Sequence, residues 1–211
     1  HQINGQPGVS TFPVSIGRMD WSTPIGRWSV VAKQIDPAWY PPESIRKEHL
    51  EDGRGPLQEV VPAGPDNPLG RYAMRLSING YLIHGTNRPV GVGMQVTHGC
   101  IRMYPEDIEW LFPQVPVGTP VMIVNQPYKF GWQGGNLYLE VHPPLEDDKS
   151  TRERAMTVLT EEYIKATGNR PALVNWRLVE DVYRRQEGIP VLVGTAVDAG
   201  MPDAVAARTS N

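Results

Sequence analysis

The stretch Ile83-His84-Gly85-Thr86-Asn87, followed by Thr97-His98-Gly99-Cys100-Ile101-Arg102, holds two histidines and the only cysteine within 17 residues. A thiol needs help to attack an amide at neutral pH, because its ordinary pKa of about 8.5 leaves only a few per cent as thiolate. An imidazole within hydrogen-bond reach takes that proton and stabilises the thiolate. Glycines beside His84 and Cys100 let the main chain approach a substrate closely, and amide N–H groups near Cys100 are suited to holding an oxyanion. Blander readings compete: strand-end histidines, a buried apolar cysteine, or a metal site. The metal reading is weak, since His84, His98 and Cys100 offer three ligands at most and no CxxC or HxxxH spacing is present. His49, in a polar loop, and His142, at a strand end, read as structural.

Outward from this stretch the pattern is β. Arg71 to Ile78 alternates, Asn79-Gly80 signals a hairpin, and Tyr81 to His84 is the returning strand. Further upstream, Val9 to Ile16 is rich in β-formers, Trp21 to Gly26 reads as a tight turn and Trp28 to Ala32 as the next strand. Asp36 to Leu69 is dominated by Pro, Gly and charge, a loop long enough to be a lid or binding segment, or a surface excursion that only packs its aromatics. Downstream, Pro105 to Phe112 reads as a short helix, with Pro105 at its first position and Glu106 and Asp107 at its positive end. Val121 to Val124 and Leu137 to Val141 read as strands. Past about residue 146 the period becomes helical. Ser150 to Glu153 has capping-box spacing, and Ala155, Leu159 and Tyr163 share one face. Asn175 to Glu187 is a second helix stopped by Gly188. Ile189 to Val193 is a last strand, and the end from Asp198 is expected to fray.

Composition excludes several classes. Twenty basic and 23 acidic residues give a net charge of -3, too balanced for a nucleic-acid-binding face. Arg152, Arg154, Arg184 and Arg185 are interleaved with acids and read as solvated helix faces. Apolar residues make up 40% and charged residues 20%, ordinary for a globular protein. One cysteine allows no intramolecular disulfide. No apolar run reaches the roughly 18 residues needed to cross a bilayer, so no transmembrane segment is expected, and no signal peptide is legible.

The residues around Cys100 resemble the L,D-transpeptidase catalytic domain (the YkuD family). Its signature is a His, a gap of roughly 14 to 17 residues, then Ser/Thr-His-Gly-Cys, an apolar residue, and Asn or Arg. His84 and Thr97 to Arg102 match it in order. Ile16-Gly17-Arg18, Thr23 to Gly26, Pro37 to Pro42, Asn67 to Gly70 and Gly118 to Val121 are similar to further family landmarks. The likeness is greatest to periplasmic enzymes of Gram-negative bacteria. It implies Cys100 as nucleophile, His84 as general base oriented by the Gly85 carbonyl, and His98 as a second imidazole tuning the thiolate or the oxyanion site. It further implies Thr97 and Gly99 as pocket lining, and Arg102 either paired with a stem-peptide carboxylate or bracing the loop.

The implied chemistry is ping-pong transfer on peptidoglycan tetrapeptide stems. A thioester forms with release of D-Ala, then passes to an amine of another stem or of a lipoprotein Lys. Water as acceptor would make the chain an L,D-carboxypeptidase; a non-catalytic peptidoglycan-binding module is the rival outside enzymes. No cofactor is expected, carbapenems are expected to acylate Cys100, and the expected location is the periplasm. The expected fold class is mostly β: a β-sandwich or barrel catalytic domain over residues 1–146 with a short helix after the Cys, plus an α-helical C-terminal extension over 147–211. The resemblance also implies a β-hairpin upstream of Val9, often after a LysM-type module. Neither is legible in the sequence, so missing N-terminal strands are an expectation.

Overall fold

The structure is a computed structural model that describes residues 2–3, 6–7, 9–18, 21–145 and 148–197. The fraying expected from Asp198 lies outside these residues. The chain divides into two compact units, His1–Val124 and Asn125–Asn211.

The first unit opens with a hairpin of β1 (Gln2–Ile3) and β2 (Gln6–Pro7). Strands of two residues show no alternation, so this upstream hairpin was not legible in the sequence. Seven further strands form one sheet: β3 (Val14–Gly17), β4 (Gly26–Ile35), β5 (Tyr72–Leu76), β6 (Leu82–His84), β7 (Gln95–Thr97), β8 (Ile101–Met103) and β9 (Pro120–Ile123). Their order is β7-β3-β8-β6-β5-β4-β9. The mostly-β expectation takes the form of a curled half-barrel. The ten-residue β4 makes the curl possible: its first half pairs with β9, its second with β5, and the register shifts between Val30 and Ala32. Val30, Met74, Leu76, Met103, Ile108 and Phe112 form the core. Ile108 comes from α2 (Pro105–Leu111), which starts at Pro105 as expected.

The segment read as a long loop contains α1 (Glu43–Glu51). This helix buries none of its residues, so it carries no apolar stripe for a periodicity argument to detect. The rest of the segment is stapled by Asn67, which is fully buried. Its Nδ2 donates to the carbonyls of Pro37 at 2.8 Å, Pro62 at 3.1 Å and Val61 at 3.2 Å, and its Oδ1 accepts from the Leu69 amide at 2.9 Å. One amide thereby satisfies main-chain groups from three parts of an irregular segment.

The second unit is a four-stranded antiparallel sheet with three helices. The strands β10 (Tyr128–Gln133), β11 (Asn136–Val141), β12 (Ala172–Val174) and β13 (Val191–Ala196) lie in the order β10-β11-β13-β12. Between them run α3 (Lys149–Glu153), α4 (Ala155–Thr167) and α5 (Trp176–Arg185). Ala155 and Leu159 of α4, with Val179 and Val182 of α5, pack against Tyr128, Leu137, Leu139, Val141 and Val193. The helices stand where their periodicity put them, but the boundary moves. The strand at 137–141 was grouped with the first 146 residues; it pairs instead with β10 and β13, and the units part after Val124. Pairing partners distant in sequence decide this, and local pattern does not reveal them.

Candidate active site

The centre of the half-barrel brings the two halves of the motif side by side. β6 is antiparallel to β5 and parallel to β8, with His84 opposite Ala73 on one side and Arg102 on the other. His84 is buried, and its Nδ1 lies 2.6 Å from the Gly85 carbonyl oxygen. A carbonyl only accepts, so Nδ1 carries the proton and Nε2 keeps the lone pair. Burial, aided by the positive charge of Arg102, pushes this imidazole down to about 4 despite the opposing Gly85 and Leu69 carbonyls. At neutral pH His84 is therefore an uncharged base. Gly85 donates its amide to Tyr72 at 3.0 Å, and a Cβ there would come within 3.2 Å of Ile108. The orienting carbonyl is thus fixed between β5 and α2.

The turn from β7 to β8 holds Cys100, the expected nucleophile. Thr97 is buried; its hydroxyl donates to the Cys100 carbonyl at 2.6 Å and accepts from the Gly99 amide at 3.2 Å. From outside the turn, the Thr23 hydroxyl donates to the Gly99 carbonyl at 2.8 Å and accepts from the Gly17 amide at 2.9 Å. Gly99 has φ +100°, and a Cβ on it would lie 2.7 Å from the Tyr81 ring. Both the backbone angle and the space therefore require glycine. The resemblance put Thr97 and Gly99 in the pocket lining. Thr97 is enclosed with its hydroxyl engaged inside the turn, and Gly99 lies against Tyr81; both hold the shape of the loop.

The Cys100 sulfur faces the Gly80 carbonyl at 3.7 Å. Burial pushes the thiol up, opposed by a backbone hydrogen bond at Leu82 and by Arg102. Burial thus favours the protonated thiol at Cys100. Among the described residues no hydrogen bond joins it to His84. Arg102 pairs with no carboxylate among the described residues, and its Nε is buried without a partner. Burial and Arg88 disfavour its charge, while Cys100 favours it.

His98 is held from a direction the sequence did not disclose. Its Nε2 lies 2.8 Å from Oε2 of Glu48 in α1, whose other oxygen pairs with Arg18 at the end of β3. The Arg18 guanidinium and then His98 hold the Glu48 carboxyl below the usual range, against partial burial. Trp21 meets the His98 ring edge-on, with centroids 5.3 Å apart. A hollow of about 410 Å³, lined by Arg18, Trp21, Ser44, Lys47, Glu48 and Glu51, opens beside this pair. Pro41-Pro42 before the segment, Gly53 after it and good helix formers between were the available signal for α1. His49 contacts the Gly55 carbonyl at 2.8 Å and His142 contacts Glu140 at 2.6 Å. Among the described residues no three His, Cys, Asp or Glu side chains are grouped to hold a metal ion, and no helix is long and apolar enough to cross a membrane.

Residues 3–123 match the model of the L,D-transpeptidase catalytic domain, YkuD, and the chain belongs to this family. The probable L,D-transpeptidase ErfK/SrfK of Salmonella typhimurium is 37% identical over 207 residues, which is 94% of this chain and 63% of that protein. The probable L,D-transpeptidase YbiS of Escherichia coli is 38% identical over 193 residues, 89% of this chain and 61% of that protein. The chain therefore spans a little over 60% of the length of these relatives. Among solved structures, an L,D-transpeptidase from Mycobacterium tuberculosis is 27% identical over 54% of this chain and 42% of its own, with a TM-score of 0.37.

Proposed function

We propose that this chain is a cysteine-nucleophile L,D-transpeptidase acting on peptidoglycan tetrapeptide stems in the periplasm. The observation that carries the reading is the parallel pairing of β6 with β8. It sets a buried, neutral His84 beside the strand that leaves Cys100.

The chemistry runs from the resting thiol. Rotation of the Cys100 side chain away from Gly80 brings Sγ–H toward His84 Nε2, a closure of the kind that substrate binding completes. The sulfur attacks the carbonyl of the third stem residue as Nε2 takes the proton, and the imidazolium is steadied by the Gly85 carbonyl at Nδ1. Amides of the braced turn face the developing oxyanion. The C–N bond to D-Ala breaks, and His84 returns the proton to the leaving amine, leaving a thioester on Cys100. An amine then attacks the thioester; His84 removes its proton and restores the thiol. Arg102, without a carboxylate of its own, pairs with a carboxylate of the stem. The amine comes from another stem, giving a 3-3 cross-link, or from a lipoprotein lysine.

The test is product analysis with a disaccharide tetrapeptide, with and without an added amine, against Cys100→Ala. Release of D-Ala with amine-dependent coupling supports transfer. Release with hydrolysed product alone makes the chain an L,D-carboxypeptidase. Wall binding that survives Cys100→Ala with no D-Ala released by the parent makes it a binding module.

A further inference from the structure

We propose that Glu48 is a positioning residue for this reaction, acting through His98; the inference rests on the transpeptidase reading above. The carboxylate has both oxygens committed, Oε1 to Arg18 and Oε2 to His98 Nε2 at 2.8 Å. Those two residues bracket the nucleophile turn. His98 lies inside it, and Arg18 follows Gly17, where a Cβ would strike the Trp21 carbonyl and come within 2.9 Å of Gly99 Cα. Glu48 thereby ties α1 to the Cys100 turn at two points.

Stability is a poor explanation for the arrangement. The Glu48 side chain is 21% exposed and that of Arg18 38%, and ion pairs this open to solvent contribute little. No residue of the helix that carries Glu48 is fully buried. What the contact does is chemical. A carboxylate only accepts, so Nε2 of His98 must bear a proton. With Trp21 against its edge, the ring is fixed in both rotamer and tautomer. His98 sits two residues before the nucleophile, so freeing its ring loosens the turn that presents Sγ. Loosening of that kind costs rate without unfolding the sheet.

The experiment measures carbapenem acylation of Cys100 by intact mass in the full chain, comparing the parent with Glu48→Ala, Glu48→Gln and Cys100→Ala. Ring ¹⁵N spectra of His98 are recorded for the same proteins. Glu48→Ala is expected to slow acylation by roughly 10- to 100-fold with its melting temperature nearly unchanged and its His98 tautomers mixed. Glu48→Gln keeps an acceptor for Nε2–H and should recover most of the rate and the single tautomer. Glu48→Ala at the parental rate, or Glu48→Gln as slow as Glu48→Ala, overturns the proposal. Should Glu48→Ala fail to fold, the Glu48→Gln rate and tautomer decide alone. A parent that is never acylated sinks the transpeptidase reading instead, and the His98 spectra then decide whether Glu48 sets the tautomer.

Discussion

His84 and Arg102 face one another across the parallel pair β6–β8, and this one juxtaposition acts on both His84 and Cys100. The guanidinium helps burial to depress the His84 imidazole, and it also opposes the burial that raises the Cys100 thiol. One cation adds to the burial that keeps His84 unprotonated and opposes the burial that keeps Cys100 a thiol.

Arg102→Gln should therefore raise the pH at which Cys100 becomes reactive. Iodoacetamide alkylation followed against pH reads this directly. The midpoint is expected to move up and the rate at pH 7 to fall several-fold. An unmoved midpoint would mean that the charge of Arg102 does not reach the sulfur.

Burial of His84 as a neutral ring makes stability acid-sensitive. The ring is depressed from its ordinary 6.5 to about 4, so the unfolded chain binds the extra proton between these values. Stability from this group is intact above 6.5 and is lost progressively as pH falls toward 4. The gap corresponds to about 3 kcal/mol. Urea unfolding of the parent and of His84→Gln at pH 7 and pH 4.5 checks it. The parent should lose more than the variant over that range.

Thr23→Val keeps the shape of the side chain but removes the hydroxyl that joins Gly17 to Gly99. Two main-chain groups lose their partner, and a cost of about 2 kcal/mol is expected. Denaturant midpoints give that number. Acylation should fall with it, because the Gly99 carbonyl is no longer held.

Gly99→Ala places a methyl group against Tyr81 at a φ of +100°. The strain is expected to cost about 1–3 kcal/mol. Adding Tyr81→Ala removes the clash but not the backbone angle. The double variant should therefore recover only part of the melting temperature.

The family was legible in the sequence because its motif is concentrated. His84, Gly85 and Thr97 to Arg102 lie in two short runs, and the hairpin and helix around them carry strong local signals at Asn79-Gly80 and Pro105. Glu48 was not legible, since its helix carries no apolar stripe and its partner lies 50 residues away. The unit boundary was missed for a similar reason. Strand 137–141 shows the same alternation whichever sheet it joins, and only its pairing with 191–196 assigns it. The bracing contacts of Thr97 and Gly99 were not legible because burial and φ belong to the folded turn.

The central claim is that Cys100 forms a covalent thioester with the stem and that His84 drives it. Intact-protein mass spectrometry after mixing with a disaccharide tetrapeptide tests this, with Cys100→Ala and His84→Gln alongside the parent. An adduct equal to the donor minus D-Ala is expected on the parent, none on Cys100→Ala, and a much slower one on His84→Gln. An adduct that persists in Cys100→Ala, or D-Ala release at the parental rate from His84→Gln, would contradict it.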